Sequence, residues 1–308
     1  MKDFFDENGV MIPETLIIKE ASPKDIAKAY AISMQDKILW EKESDFHSVS
    51  VCENPVGRFL RYGISFQAGI INSDLYKGNI PYLNYFLIPY LLKPKAKKIL
   101  LIGFGSGLLV NQYEKLFENL VQIDVVDIEE NVLPLAKKFF NFKESEKFNF
   151  NLQDALVYLR NNKKKYDIIA VDVAGNEGLD KRFFEDEYFN LIKKSLKKDG
   201  IYIFNSCANT DLKEKNTFFG FTVEIFKRFF NNFAVFGGKT SDKMYYKIFF
   251  DMDKPLLDIT NCIFISSDKL LSENDFDLKN DKSEKLNKLC PDFENYLKDL
   301  YKIYNINK

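Results

Sequence analysis

The chain has 308 residues, a formal net charge of −1, 46% hydrophobic and 29% charged residues, and a single histidine. That length supports a substantial core, and the near-neutral balance gives no overall pull toward nucleic acid. Four scattered cysteines (Cys52, Cys207, Cys262, Cys290) form no C-x-x-C pair and have only His47 to join them, which argues against a zinc site and a histidine-based nucleophile.

In chain order, residues 10–18 read as an extended piece. Ser22-Pro23-Lys24-Asp25 then reads as a helix start, with Ser at the cap and Pro at the first helical position. Residues 46–72 alternate apolar and polar. Val49 and Val51, then Phe59, Leu60 and Tyr62, flank Asn54-Pro55-Val56-Gly57 and predict a β-hairpin, with Phe66 to Ile71 as a further strand. Tyr82, Phe86, Leu87, Tyr90 and Leu91 predict an apolar helix over 79–92.

From Lys98 strands and helices alternate. Strands are expected at 98–103, 121–126, 148–152, 166–172, 199–204, 232–237 and 244–250. Helices are expected at 107–118, 130–140, 154–161, 184–197 and 216–230. This predicts an α/β fold: a Rossmann-like wound parallel sheet whose last two strands form an antiparallel edge hairpin. Residues 272–286 read as a polar linker, and a helix over about 290–303 ends the chain. The expected division is an N-terminal helix and β-hairpin domain (1–78), an α/β domain (79–265) and a polar linker with a C-terminal helix (266–308). Lysine runs at 93–98, 163–165 and 193–198 flank predicted elements and read as solvated faces. No charged-then-apolar leader and no apolar run of about twenty residues occurs, so a cytoplasmic protein without a membrane partner is expected.

The chemistry concentrates at strand ends. Ile99 to Ile102 run into Gly103-Phe104-Gly105-Ser106-Gly107, and the next apolar run stops on Asp127. Glycines let the backbone turn sharply and approach a ligand, and an acid at the next strand tip is placed to accept hydrogen bonds from two ribose hydroxyls. Asp154 and Asp172 also end apolar segments. Each acid alone can be a helix or loop cap, and Ser106 can cap the helix that follows it. Three acids after a glycine loop predict a shared nucleoside crevice. The dinucleotide pattern needs glycine at 108, where Leu108 stands, and no Gly-Lys-Ser/Thr follows. The G-x-G-x-G spacing suits S-adenosylmethionine, which has no pyrophosphate to cradle.

With these elements in this order the chain resembles the spermidine synthase-like polyamine aminopropyltransferases and, more loosely, class I S-adenosylmethionine-dependent methyltransferases. The resemblance covers roughly residues 40–250. It rests on Glu43 to His47, Gln67 with Tyr76, Ile102 to Gly107, Asp127 to Phe140, Asp154, Tyr166 to Asp172, and Phe183 to Gly200. It implies a donor site for S-adenosylmethionine or its decarboxylated form, as co-substrate and with no metal. Asp127 and its neighbour Ile128 would meet the ribose, and Asp154 with Ala155 the adenine. Gly103, Gly105, Ser106 and Gly107 would pass under the sulfonium and its tail, and Gln67 would lie over it. Asp172 and Tyr76 would serve the reacting centre and the mouth. The resemblance also implies a homodimer paired through the β-hairpin region.

The departures are specific. The family's G-G-G-D-G has Ser106 in place of its acid. Its D-S-S-D reads Asp172-Val173-Ala174-Gly175, its Tyr-His/Gln-Glu reads Tyr76-Lys77-Gly78, and His47 replaces Gln. A polycation needs carboxylate partners, and each lost carboxylate costs about 2–5 kcal/mol of binding. A neutral Ser106 also admits a donor that keeps its carboxylate. The expectation is a transferase moving an aminopropyl or other alkyl group to a small amine, with ordinary spermidine synthesis disfavoured. The alternatives are a small-molecule methyltransferase and a non-catalytic nucleoside-binding protein.

Overall fold

The computed structural model describes residues 35–46, 48–63, 65–74, 76–173, 180–209, 212–213, 217–250, 253, 259–278 and 281–306. The extended piece at 10–18, the helix start at Ser22, His47 and Gly175 lie outside them.

Five strands form an N-terminal antiparallel sheet in the order β1-β2-β3-β4-β5: β1 (Lys37–Glu43), β2 (Ser48–Asn54), β3 (Gly57–Tyr62), β4 (Ser65–Asn72) and the short β5 (Lys77–Gly78). The expected hairpin is β2–β3. It closes where Asn54 Oδ1 accepts from the backbone N–H groups of Val56 (2.9 Å) and Gly57 (3.2 Å). A 3-10 helix (Pro81–Leu87) and α1 (Pro89–Leu92) occupy the stretch expected as one helix. Pro89 cannot donate to the preceding turn, and it divides the segment.

The second sheet has eight strands in the order β13-β11-β12-β10-β9-β6-β7-β8. In chain order these are β6 (Lys98–Ile102), β7 (Gln122–Asp127), β8 (Phe148–Leu152), β9 (Tyr166–Val171), β10 (Leu196–Asn209), β11 (Asn232–Gly237), β12 (Ile259–Ser267) and β13 (Leu300–Asn305). The connecting helices are α2 (Leu108–Leu116), α3 (Val132–Phe139), α4 (Ala155–Asn161), α5 (Asp186–Ser195), α6 (Phe218–Phe229) and α7 (Lys239–Phe250). β8, β7, β6, β9 and β10 run parallel, and β12 joins β10 and β11 antiparallel to both.

β6 shows why helices cover both faces. Ile99 and Leu101 pack in one core with Val110 and Tyr113 of α2, while Leu100 and Ile102 pack in the other with Leu156, Ile169 and Phe189. Each such fully buried aliphatic side chain contributes about 1.5–3 kcal/mol of transfer free energy.

Three expectations are corrected at the far end of the sheet. Residues 244–250 belong to helix α7, not to a strand. Tyr245 and Phe249, four apart, stack at 4.5 Å, and Phe249 meets Phe59 (5.1 Å) and Phe66 (5.4 Å) of the N-terminal sheet. The antiparallel partner of β11 is β12. The segment expected as a polar linker and terminal helix instead holds a 3-10 helix (Glu273–Phe276), α8 (Asp281–Leu289), α9 (Glu294–Leu297) and strand β13. Tyr304 of β13 stacks on Phe233 at 4.4 Å.

Candidate nucleoside and transfer site

β6 lies between β7 and β9: the chain winds outward from it to β7 and β8, then crosses back to β9 and β10 on its other side. The crevice of such a sheet opens at the carboxyl ends of the two strands that meet there. Gly103 follows β6 and Asp172 follows β9. Gly103 adopts φ +91°, and a Cβ on it would lie 2.0 Å from the Asp172 carbonyl oxygen. The loop is held from both sides: Gly103 N donates to Val126 O (2.9 Å) and Asp172 N to Ile102 O (2.9 Å). Gly105, at φ +55°, passes beneath Ala68 of β4, whose Cβ would be 3.1 Å from an added one.

Ser106 does not cap the following helix. Gly107 occupies the cap of α2 with no side-chain bond, and Ser106, 2% exposed, has an Oγ with no hydrogen-bond partner. The loop therefore carries a neutral hydroxyl and no carboxylate.

Asp127 ends β7. Its Oδ2 accepts from Phe104 N in the glycine loop (2.7 Å) and its Oδ1 from Glu129 N (2.9 Å). Burial pushes its carboxyl up to about 6, with the nearby Glu129 adding to the shift and the backbone donors opposing it. Ile128 sits between these acids, half-buried. Glu129 is fully buried. It accepts from Asn131 N (3.0 Å) and Nδ2 (2.5 Å), and from the Ser44 hydroxyl that follows β1. With the exposed Lys42–Glu130 pair (2.8 Å), this contact ties the N-terminal sheet to the end of β7.

Asp154 caps α4. Oδ1 accepts from Leu156 N (2.9 Å) and Val157 N (3.0 Å), and Ala155, the first helical residue, is buried. Oδ2 pairs with Arg182 Nη1 at 3.0 Å.

Asp172 is gripped at both oxygens. Oδ2 accepts from Tyr82 Oη (2.9 Å) and Oδ1 from Asn205 Nδ2 (2.9 Å). Burial pushes this carboxyl up to about 6 against those two donors. Tyr82 Oη also lies 3.2 Å from the carbonyl oxygen of Gln67 in β4, which links two expected site residues. Tyr76 is placed differently. It is 7% exposed, and its hydroxyl accepts from Asn84 Nδ2 (2.8 Å), whose second N–H goes to Tyr296 Oη (2.9 Å) near the chain's end.

The fold thus joins the glycine loop to Asp127 and Asp172, and joins Asp172 to Gln67 through Tyr82. Sequence reasoning missed Tyr82, Asn205 and Arg182 as partners of the acids. Asn205 carried a signal, being a polar residue directly after the apolar run Ile201 to Phe204, whereas nothing in the sequence points to Arg182. Among the described residues, no group of three or more His, Cys, Asp or Glu side chains could hold a metal ion, and no helix is long and apolar enough to cross a membrane.

A glycine turn at the switch point, an acid at the tip of the neighbouring strand and a seven-strand mixed core extended by β13 define a class I S-adenosylmethionine methyltransferase-type fold with an added N-terminal sheet. Within that class, residues 86–236 match the spermine/spermidine synthase domain. The polyamine aminopropyltransferase of Methanocaldococcus jannaschii is 28% identical over 183 residues, which cover 58% of this chain and 60% of that one. The chain thus aligns with about three fifths of the length of the curated relatives it matches. Spermidine synthase from Thermotoga maritima superimposes with a TM-score of 0.65 at 17% identity, covering 86% of this chain and 84% of that one. A spermidine synthase in complex with the transition state analogue AdoDATO gives 0.58 at 18% identity, covering 78% and 77%.

Proposed function

We propose that this chain is an enzyme that transfers an aminopropyl or other alkyl group from S-adenosylmethionine, or its decarboxylated form, to a small amine. The observation that carries this reading is the contact of Gly103 with Asp172, because one switch point then holds both the donor's turn and a carboxyl at the reacting centre. Asp127, anchored on the loop by Phe104 N, is oriented to take the ribose hydroxyls. The M. jannaschii relative is named a polyamine aminopropyltransferase, and one structural neighbour is described with AdoDATO.

In the transfer, the amine lone pair attacks the carbon beside the sulfonium. The C–S bond breaks and its electron pair returns to sulfur, which becomes a neutral thioether. The proton released by the new ammonium passes to Asp172, whose carboxyl near 6 is matched to that task. Gln67 and Ala68 of β4 roof the donor, Ala155 and Ile128 flank the nucleoside, and Tyr76 backs the mouth. A homodimer paired through the N-terminal sheet and a cytoplasmic location belong to the same reading.

A second reading, methyl transfer from intact S-adenosylmethionine, is favoured by Ser106, since a loop without a carboxylate does not repel the donor's own. Calorimetric titration with both donors tests the two. Tighter binding of the decarboxylated form supports aminopropyl transfer, tighter binding of S-adenosylmethionine supports the second reading, and binding of neither sinks both.

A further inference from the structure

Two side chains hold the Asp172 carboxyl, and they differ in freedom. Asn205, on β10, has both amide protons committed: one to Asp172 Oδ1 at 2.9 Å and one to Asn261 Oδ1 on β12 at 3.0 Å. Turning that amide would set its oxygen against the carboxylate, so it stays as it is. Tyr82, on the 3-10 helix, has one proton and, among the described residues, the acceptors Asp172 Oδ2 at 2.9 Å and Gln67 O at 3.2 Å within reach. The third group that faces Asp172 is Tyr113 of α2. It feels the charge of Asp172, and it spends its own proton on Phe86 O at 2.8 Å.

We propose that Tyr82 is a positioning residue for the transfer: its hydroxyl holds Asp172 while that group is a carboxylate and turns to the Gln67 carbonyl once Asp172 has taken the amine's proton. This rests on the reading of Asp172 as proton acceptor.

The turn is a rotation about the Cζ–O bond and moves no heavy atom. It resolves a difficulty of buried proton acceptors, which is that a donor aimed at a carboxylate loses its partner when that carboxylate is neutralised. Here the donor has a second acceptor ready, so both protonation states keep the hydroxyl satisfied. The second acceptor lies on β4, beside Ala68, which sits over Gly105. The strand over the donor is thereby held more firmly after proton transfer than before it.

The test is Tyr82→Phe, followed by carbon-detected NMR of protein labelled at the aspartate carboxyl carbons, with the Asp172 signal assigned from Asp172→Asn. A hydrogen bond to a charged group is lost, so the Asp172 midpoint is expected to rise by about one pH unit. An unchanged midpoint overturns the proposal, because loss of ring packing alone would not move it. Urea midpoints at pH 5 and pH 8 test the turn itself. A deficit in Tyr82→Phe at both values is expected, since each state offers an acceptor, and a deficit at pH 8 alone overturns the two-position role. Should Tyr82→Phe fail to fold, 3-fluorotyrosine at position 82, a stronger donor, should lower the Asp172 midpoint, and no movement counts against the proposal. These readouts need no turnover, so a failure of the transfer reading is seen separately, as absence of donor binding by calorimetry.

Discussion

Arg182 Nη1 lies 3.0 Å from Asp154 Oδ2 while the other oxygen of Asp154 caps α4. One carboxylate thus caps a helix and pairs with an arginine, and two substitutions separate the cap from the donor-binding role proposed for it. Asp154→Asn keeps the capping oxygen, so stability should hold within about 0.5 kcal/mol, while affinity for the donor falls about tenfold through loss of the charge-assisted contact. Asp154→Ala should lose about 1 kcal/mol of stability as well. Urea denaturation and calorimetry on the two variants check this, and equal donor affinity in all three proteins would remove Asp154 from the site.

Gly103 and Gly105 both have left-handed backbones but different neighbours. At Gly103 an added methyl meets the Asp172 carbonyl oxygen at 2.0 Å, and at Gly105 only a methyl of Ala68 at 3.1 Å. Gly103→Ala should cost about 3 kcal/mol or more and abolish donor binding, because the β6 and β9 ends must part. Gly105→Ala should cost about 1–2 kcal/mol, the strain of the backbone alone. Guanidinium unfolding of both variants gives the ranking, and a reversed order would contradict the close approach at the switch point.

Stability and donor affinity should run in opposite directions with pH. The carboxyls of Asp127 and Asp172 rise from 3.8 to about 6 on folding, so between those values the folded state binds more protons than the unfolded one. Their contribution to stability is present at low pH and is lost as pH rises through about 6. On the proposed reading the ribose hydroxyls need Asp127 as a carboxylate, so affinity for 5′-methylthioadenosine should rise about tenfold from pH 5 to pH 7. Calorimetry across that range measures it, and a flat profile would mean that Asp127 does not take the ribose.

The junction between the two sheets should depend on one buried acid and little on its exposed neighbour. Glu129→Ala removes the acceptor of the Ser44 hydroxyl and the Asn131 amide inside the protein, which should cost about 1–3 kcal/mol. Lys42→Ala breaks a pair whose side chains are 50% and 60% exposed, and should change stability by less than about 0.5 kcal/mol. A thermal shift series reads both.

What could be foreseen from the residues follows from how local their signals are. The run from Ile99 to Asp127 announces strand, turn, helix and strand because each signal lies within a few positions of its cause. Met244 to Phe250 misled because a septet that is apolar except for Lys247 fits a short strand and a helix face equally, and the choice is made by Phe59 and Phe66, nearly two hundred positions away. β12 and β13 were unread for the same reason. Asp127 and Asp172 could be placed at the ends of strands from the sequence alone. Tyr82, Asn205 and Arg182, which orient Asp172 and Asp154, come from segments that only the folded sheet brings together.

The place of β12 in the sheet bears on how the chain is made. It lies between β10 and β11, yet it is synthesised after both. Until residue 267 has left the ribosome, the edge of β10 that faces away from β9 has no neighbour, and Ile203 and Phe204 stand on a strand paired on one side alone. A nascent or prematurely ended chain that stops short of Ile259 therefore presents a sticky ribbon to other chains. Slowing synthesis between residues 210 and 267 should send more of the protein into aggregates, even though in the finished molecule β12 pairs that edge from Tyr202 to Asn209.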